Sequence, residues 1–194
     1  MLFRSVSLLG SSFVAIFHPG QDQSPESQRQ EVLENEYIER QATVQRLTEI
    51  VEGNPDNIEA HLELADAYFD KSRVTGQLNY SEYEEDLQKA TELYQVVLRD
   101  RDNNDIMLKL ATSAFLLGET DLADETYIEL LTRDPQNIDA LYGHGLLLFY
   151  LKEDYTQAEA KWQEALLITT DEQMKVRLEE MISVVQTISS NTSE

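Results

Sequence analysis

From Pro55 to about Thr170, apolar residues recur every three or four positions, and one short theme is written three times. Ala90, Tyr94 and Val97 make the first copy, Ala123, Tyr127 and Leu130 the second, and Ala158, Trp162 and Ala165 the third. In each, a small residue is followed four positions on by an aromatic and three further by an apolar residue, so all three share one helical face. The spacing is 33 residues from Ala90 to Ala123 and 35 from Ala123 to Ala158. That brackets the period of about 34 residues of a stacked helix-turn-helix array.

A second helical pattern precedes each copy: Leu64, Ala65 and Tyr68; Leu110, Ala111 and Phe115; Gly145, Leu148 and Phe149. Between units stand Pro55-Asp56-Asn57, Asp102-Asn103-Asn104 and Pro135-Gln136-Asn137, which end one helix and cap the next. With these residues in phase, the chain resembles the tetratricopeptide repeat (TPR) family over residues 55–170. It departs from the family where a first-helix Trp is usual, since His61, Met107 and Leu141 stand there, and where Pro gives way to Asp102. The resemblance implies an all-α, right-handed helical-repeat solenoid of about three TPR units, at 55–104, 104–136 and 137–170.

The flanks complete this plan. Residues 31–54 predict a long N-terminal helix with a stripe of Leu33, Tyr37, Val44, Leu47 and Val51, ended by Gly53 and Pro55. It either shields the first repeat or forms a coiled-coil dimer seam, in which Arg40 is a blemish. Thr170-Asp171-Glu172-Gln173 has capping-box form and opens a C-terminal capping helix over 170–188, striped by Met174, Leu178, Met181, Ile182, Val185 and Ile188. Residues 189–194 form a frayed tail. The first unit carries an insertion at about 71–86, because Tyr68 to Ala90 spans 22 residues. It either lengthens both helices around a turn at Gly76 or makes a partner-contacting loop bearing Tyr80 and Tyr83.

At the other end, residues 1–20 hold the one strongly apolar run, Val6 to Phe17. It is shorter than the roughly 20 residues needed to span a bilayer. A signal-peptide core, an internal helix and the remnant of a transmembrane anchor compete, and the anchor is preferred. Leu2-Phe3-Arg4-Ser5 resembles a translated adapter tail. The anchor reading places the protein at a bacterial cell membrane with its repeats outside the cytoplasm; otherwise it is cytoplasmic. Residues 21–30 read as a flexible linker.

The charge balance narrows the partners. Fifteen Lys and Arg face 37 Asp and Glu, a net charge of −22, which repels nucleic acid and anionic lipid and favours basic partners. The chain has no cysteine, which removes disulfides and thiolate chemistry. It has no phosphate-cradling Gly loop, nucleophile elbow or metalloprotease motif. His18, His61 and His144 lack ligand spacing, and the latter two read as packing histidines. The expectation is therefore a protein that binds rather than catalyses, with no cofactor.

In the family that this chain resembles, the first helix of each repeat lines a concave face. Carried over by position, that face comprises Glu59, Leu62, Asp66, Phe69 and Asp70; Asp105, Leu108, Thr112, Phe115 and Leu116; and Asp139, Tyr142, Leu146, Phe149 and Tyr150. The result is an apolar floor with acidic edges, suited to a partner segment carrying apolar and basic residues. Lys and Arg are missing from these positions, which disfavours capture of a peptide's terminal carboxylate. The reading is a protein-protein interaction scaffold, in bacterial envelope assembly or cytochrome c maturation. The alternative is a structural spacer that self-associates as a homo-oligomer.

Overall fold

A computed structural model describes residues 24–191 as eight helices: α1 (Pro25–Gly53), α2 (Ile58–Leu78), α3 (Tyr80–Asp100), α4 (Asn104–Leu117), α5 (Thr120–Arg133), α6 (Ile138–Tyr150), α7 (Tyr155–Ile168) and α8 (Glu172–Asn191). They pack in sequential pairs, a TPR-like helical repeat. The N-terminal apolar segment, 1–20, lies outside the described residues. Among those described, no helix is long and apolar enough to cross a membrane.

The repeats begin where the asparagines stand. Asn57 accepts from Ala60 N at 3.1 Å, Asn103 from Asp105 N at 2.7 Å, and Asn137 from Ala140 N at 3.0 Å. Each side chain satisfies a first-turn amide that has no intrahelical partner. The C-terminal helix uses Asp171, not Thr170, for this purpose. Its Oδ1 accepts from Gln173 N at 2.7 Å and Met174 N at 3.0 Å.

Four apolar clusters run end to end through the array. The repeated triplets are their centres: Ala90, Tyr94 and Val97 in one, Ala123, Tyr127 and Leu130 in the next, Ala158, Trp162 and Ala165 in a third, all buried. Burying each large aromatic contributes about 4 kcal/mol by area. Glycines make room for two of the rings, since a Cβ on Gly143 would lie 2.5 Å from the Tyr127 hydroxyl and one on Gly145 2.2 Å from Trp162 Nε1. The stripe of α8 closes the third cluster with Leu178 and Val185, flanked by Met174, Met181 and Ile182.

The flexible linker expected at 21–30 is helical from Pro25 onward. Ser24 caps α1 by accepting from Ser27 N at 3.2 Å, and Pro25 sits at the first helical position, where its missing N–H costs nothing. The same proline that reads as a breaker in sequence is therefore a helix start.

The insertion resolves into longer helices. α2 and α3 have 21 residues each, against 13 or 14 for α4 to α7. The turn falls at Asn79, not Gly76. Asn79 ends α2 by donating its N–H to Thr75 O at 2.7 Å, and its side chain accepts from Glu82 N at 3.4 Å to start α3. Gly76 stays helical with the Tyr83 ring against it, and no loop remains to present Tyr80.

The extra length covers α1. Val44 and Leu47 pack with Leu64 and Ala67, joined by Val51, Tyr68 and Leu93. Further along, the Tyr37 hydroxyl donates to Glu82 at 2.9 Å and Lys71 Nζ stands 5.5 Å from the Tyr37 ring. Under that ring, Lys71 and Asp86 are buried and paired at 2.9 Å, with Glu82 at 2.6 Å and Thr75 donating to the second Asp86 oxygen at 3.0 Å. The stripe that could form a dimer seam is thus turned inward onto α2 and α3.

Candidate functional site

The proposed partner face is built by α2, α4 and α6, each an amphipathic helix whose opposite side holds the small residues that receive the aromatics of α3, α5 and α7. None of the carried-over residues is buried. Leu62 and Phe69 pack at the margin of the first-repeat core, Leu108 and Phe115 at the second, and Tyr142, Leu146 and Phe149 at the third. They are half-buried shoulders of the core rather than free anchors. Phe149 is the most engaged, with Tyr155 at 5.3 Å and Trp162 at 5.8 Å between ring centroids. Leu116 and Tyr150 are exposed, by 41% and 61%.

The aromatics of the second helices reach this face from behind. Tyr94 donates its hydroxyl to Asp66 at 2.7 Å, the Tyr127 hydroxyl lies 3.3 Å from Thr112 Oγ1, and Trp162 Nε1 donates to the Tyr142 carbonyl at 3.1 Å. Each buried polar tip thereby finds a partner, as burial demands. Burial raises the Tyr127 phenol to about 12. It also raises Tyr94, with the Asp66 carboxylate adding to the effect. Asp66 and Thr112 consequently serve the fold as well as the surface.

The acidic edge is partly neutralised by the chain itself. Lys109 Nζ lies 2.8 and 2.9 Å from the two Asp66 oxygens, Arg101 is 2.8 Å from Glu59, and Arg40 is 3.7 Å from Asp70. Asp105 and Asp139, both exposed and in the first turns of α4 and α6, have no ion pair among the described residues. Free negative charge on this face thus lies in the second and third units. Sequence reasoning missed the cations because Lys109 is 43 residues from Asp66; the only signal was that basic residues are scarce in this chain.

The two described histidines differ. His61 is half-buried, with Nδ1 2.9 Å from Asn57 O. His144 is buried, with Nε2 2.9 Å from Asp124 Oδ1 and Nδ1 without a partner. Among the described residues no three His, Cys, Asp or Glu side chains are grouped to hold a metal.

Comparison with known proteins agrees with this geometry. Residues 108–173 match the tetratricopeptide repeat model. The match begins after the lengthened first unit, whose insertion breaks the repeat phase. Among solved structures, MamA MSR-1 is similar at a TM-score of 0.59 and 18% identity, covering 85% of this chain and 90% of that one. MamA AMB-1 is similar at 0.57 and 20%, covering 84% and 83%. A tetratricopeptide repeat protein from Parabacteroides merdae ATCC 43184 is similar at 0.55 and 20%, covering 82% and 61%. At these identities the likeness is one of fold. No curated protein sequence matches the chain. TPR proteins are typically non-enzymatic scaffolds for protein-protein interaction, and this chain is a TPR-type helical-repeat protein whose residues 108–173 carry the repeat sequence itself.

Proposed function

We propose that the protein holds a segment of a partner protein against the α2, α4 and α6 face. The observation that carries this reading is the pairing of exposed Leu116 and Tyr150 with the unpaired acids Asp105 and Asp139 on the same two helices. The apolar residues offer area and the carboxylates offer steering and register for Lys or Arg. Because Glu59, Asp66 and Asp70 already have cations, the basic residues of the partner belong against α4 and α6. The narrower reading, a membrane-tethered protein of bacterial envelope assembly or cytochrome c maturation, rests on residues 1–20 and is tested by fractionating source membranes.

The test is affinity capture from source lysate with the full chain beside a Leu116→Glu/Tyr150→Glu variant. Both sites are exposed, so the variant keeps its fold, which circular dichroism checks. Proteins that bind the parent and are lost from the variant support the reading. Identical capture by both baits overturns it.

A further inference from the structure

We propose that the cleft between α5 and α7, on the side of the molecule opposite the partner face, is a slot for a tyrosine side chain of a partner protein, whose hydroxyl donates to Nδ1 of His144. The cleft has a volume of about 360 Å³ and is lined by Ile128, Leu131 and Thr132 of α5, His144 of α6, and Gln157 and Lys161 of α7. That volume suits one large side chain rather than an extended ligand.

The repeat itself marks His144 as out of place. One period earlier stands Leu110, and the corresponding residue of the first unit is Leu64; all three are 5% exposed. Two units therefore put a leucine where the third puts an imidazole. A buried polar group without a partner is destabilising, so a histidine in a leucine position calls for a use.

Its ring is held in one orientation. Nε2 lies 2.9 Å from Asp124, whose other oxygen takes Lys152 at 2.6 Å. The Tyr127 ring stacks on it, with centroids 5.7 Å apart and planes 20° off parallel. Facing a carboxylate, Nε2 carries the proton, so in the neutral ring Nδ1 is an acceptor. Burial favours that neutral form, against the pull of Asp124.

The other polar groups lining the cleft are all engaged. The Thr132 hydroxyl donates to Ile128 O at 2.8 Å, the Gln157 side chain donates to Asp154 at 2.5 Å, and Lys161 lies 3.2 Å from Glu164. In the neighbouring cleft between α3 and α5, Arg133 pairs with Asp102 and Glu129, Thr126 donates to Leu122 O, and the floor is apolar Met107 and Leu110. Only the His144 cleft has an unmet acceptor.

The lining then selects the ligand. Ile128, half exposed, and Leu131 offer apolar walls. Lys161 at the wall and Lys152 beyond Asp124 disfavour a cationic tip. A neutral donor at the end of an apolar ring meets these conditions, and tyrosine is the side chain that carries its donor at the tip.

The test uses the full chain with labelled imidazole nitrogens, observed by NMR at pH 8 while N-acetyl-tyrosinamide or N-acetyl-phenylalaninamide is added. A saturable shift of the His144 Nδ1 resonance with the tyrosine compound, at least about tenfold weaker with the phenylalanine compound, is the expected result. His144→Leu, which restores the residue of the other units, keeps the fold and loses the preference. No saturable shift, an equal response to both compounds, or an unchanged preference in His144→Leu overturns the proposal.

Discussion

Lys109 Nζ reaches both oxygens of Asp66, at 2.8 and 2.9 Å, and so ties α4 to α2 across the partner face. Each side chain is about two-fifths exposed. Lys109→Met should therefore change stability by no more than about 1 kcal/mol in a urea titration. It should also release a carboxylate to the surface. An amphipathic Lys/Leu peptide used as a probe should bind several-fold tighter to the variant, with a steeper salt dependence. Equal binding to both proteins would remove Asp66 from the partner face.

The buried Lys71 behaves differently because nothing around it can take water's place if a partner is lost. Hydrogen bonds from Glu82 and Asp86 raise its pKa although burial works the other way. Lys71→Met leaves Asp86, 2% exposed, without its counter-charge. The expected loss is about 3 kcal/mol or more. Lys71→Met/Asp86→Leu should recover part of it, since an apolar pair replaces an ionic one. Denaturant midpoints of the two single variants and the double give the coupling directly.

Gly145 is a packing residue. A Cβ there would stand 2.2 Å from Trp162 Nε1, inside any permitted contact, and the indole is held by its bond to the Tyr142 carbonyl. Gly145→Ala should cost about 1–3 kcal/mol through overpacking, despite the better helix propensity of alanine. Trp162→Phe in the same chain should relieve part of the clash. A thermal melt in which Gly145→Ala raises Tm would refute the assignment.

His144 gives stability a pH dependence with a definite sign. Burial, outweighing Asp124, lowers its pKa below the unfolded value of about 6.5. The unfolded chain thus binds the proton more readily, and the contribution of His144 is complete above about pH 6.5 and lost as pH falls toward the folded pKa. The groups facing the ring are Asp124 and Tyr127 from α5, Lys152 after α6 and Lys161 from α7. Asp124 is itself held below the usual carboxylate range: burial would raise it, but Lys152 and His144 outweigh that, so it stays ionised through this window. Between pH 7.5 and 5.5 the parent should lose stability relative to His144→Leu, read as the difference between their melting temperatures. Parallel curves would count against it.

Much of the architecture was legible because its signals are local. A helical face is fixed by spacings of three and four, and a cap by an asparagine and the amides two or three residues on, as at Asn57, Asn103 and Asn137. Two local signals misled. Pro25 reads as a breaker unless Ser24 is seen to cap it, and Gly76 reads as a turn although Asn79 can serve two helices at once.

The candidate face was legible only as positions. Periodicity puts Asp66, Leu108 and Phe115 on the first-helix surface but does not say how far each sinks into its neighbours. That depth depends on which aromatic arrives from the second helix and whether a glycine admits it. The buried pair of Lys71 and Asp86 was hidden for the same reason: in a chain with 37 acids, sequence cannot say which one meets a given lysine.

By itself the sequence determined the repeat: three triplets in phase, the capped starts, the closing helix and the acidic balance. Those follow from backbone hydrogen bonding and side-chain direction within about four residues, which hold wherever the segment is placed. The tertiary structure decided what each exposed-looking group does. It gave Asp66 to Lys109, turned the stripe of α1 onto α2, and left one nitrogen of His144 without a partner. Ion pairing and desolvation depend on distances between segments far apart in the chain, and only packing sets those.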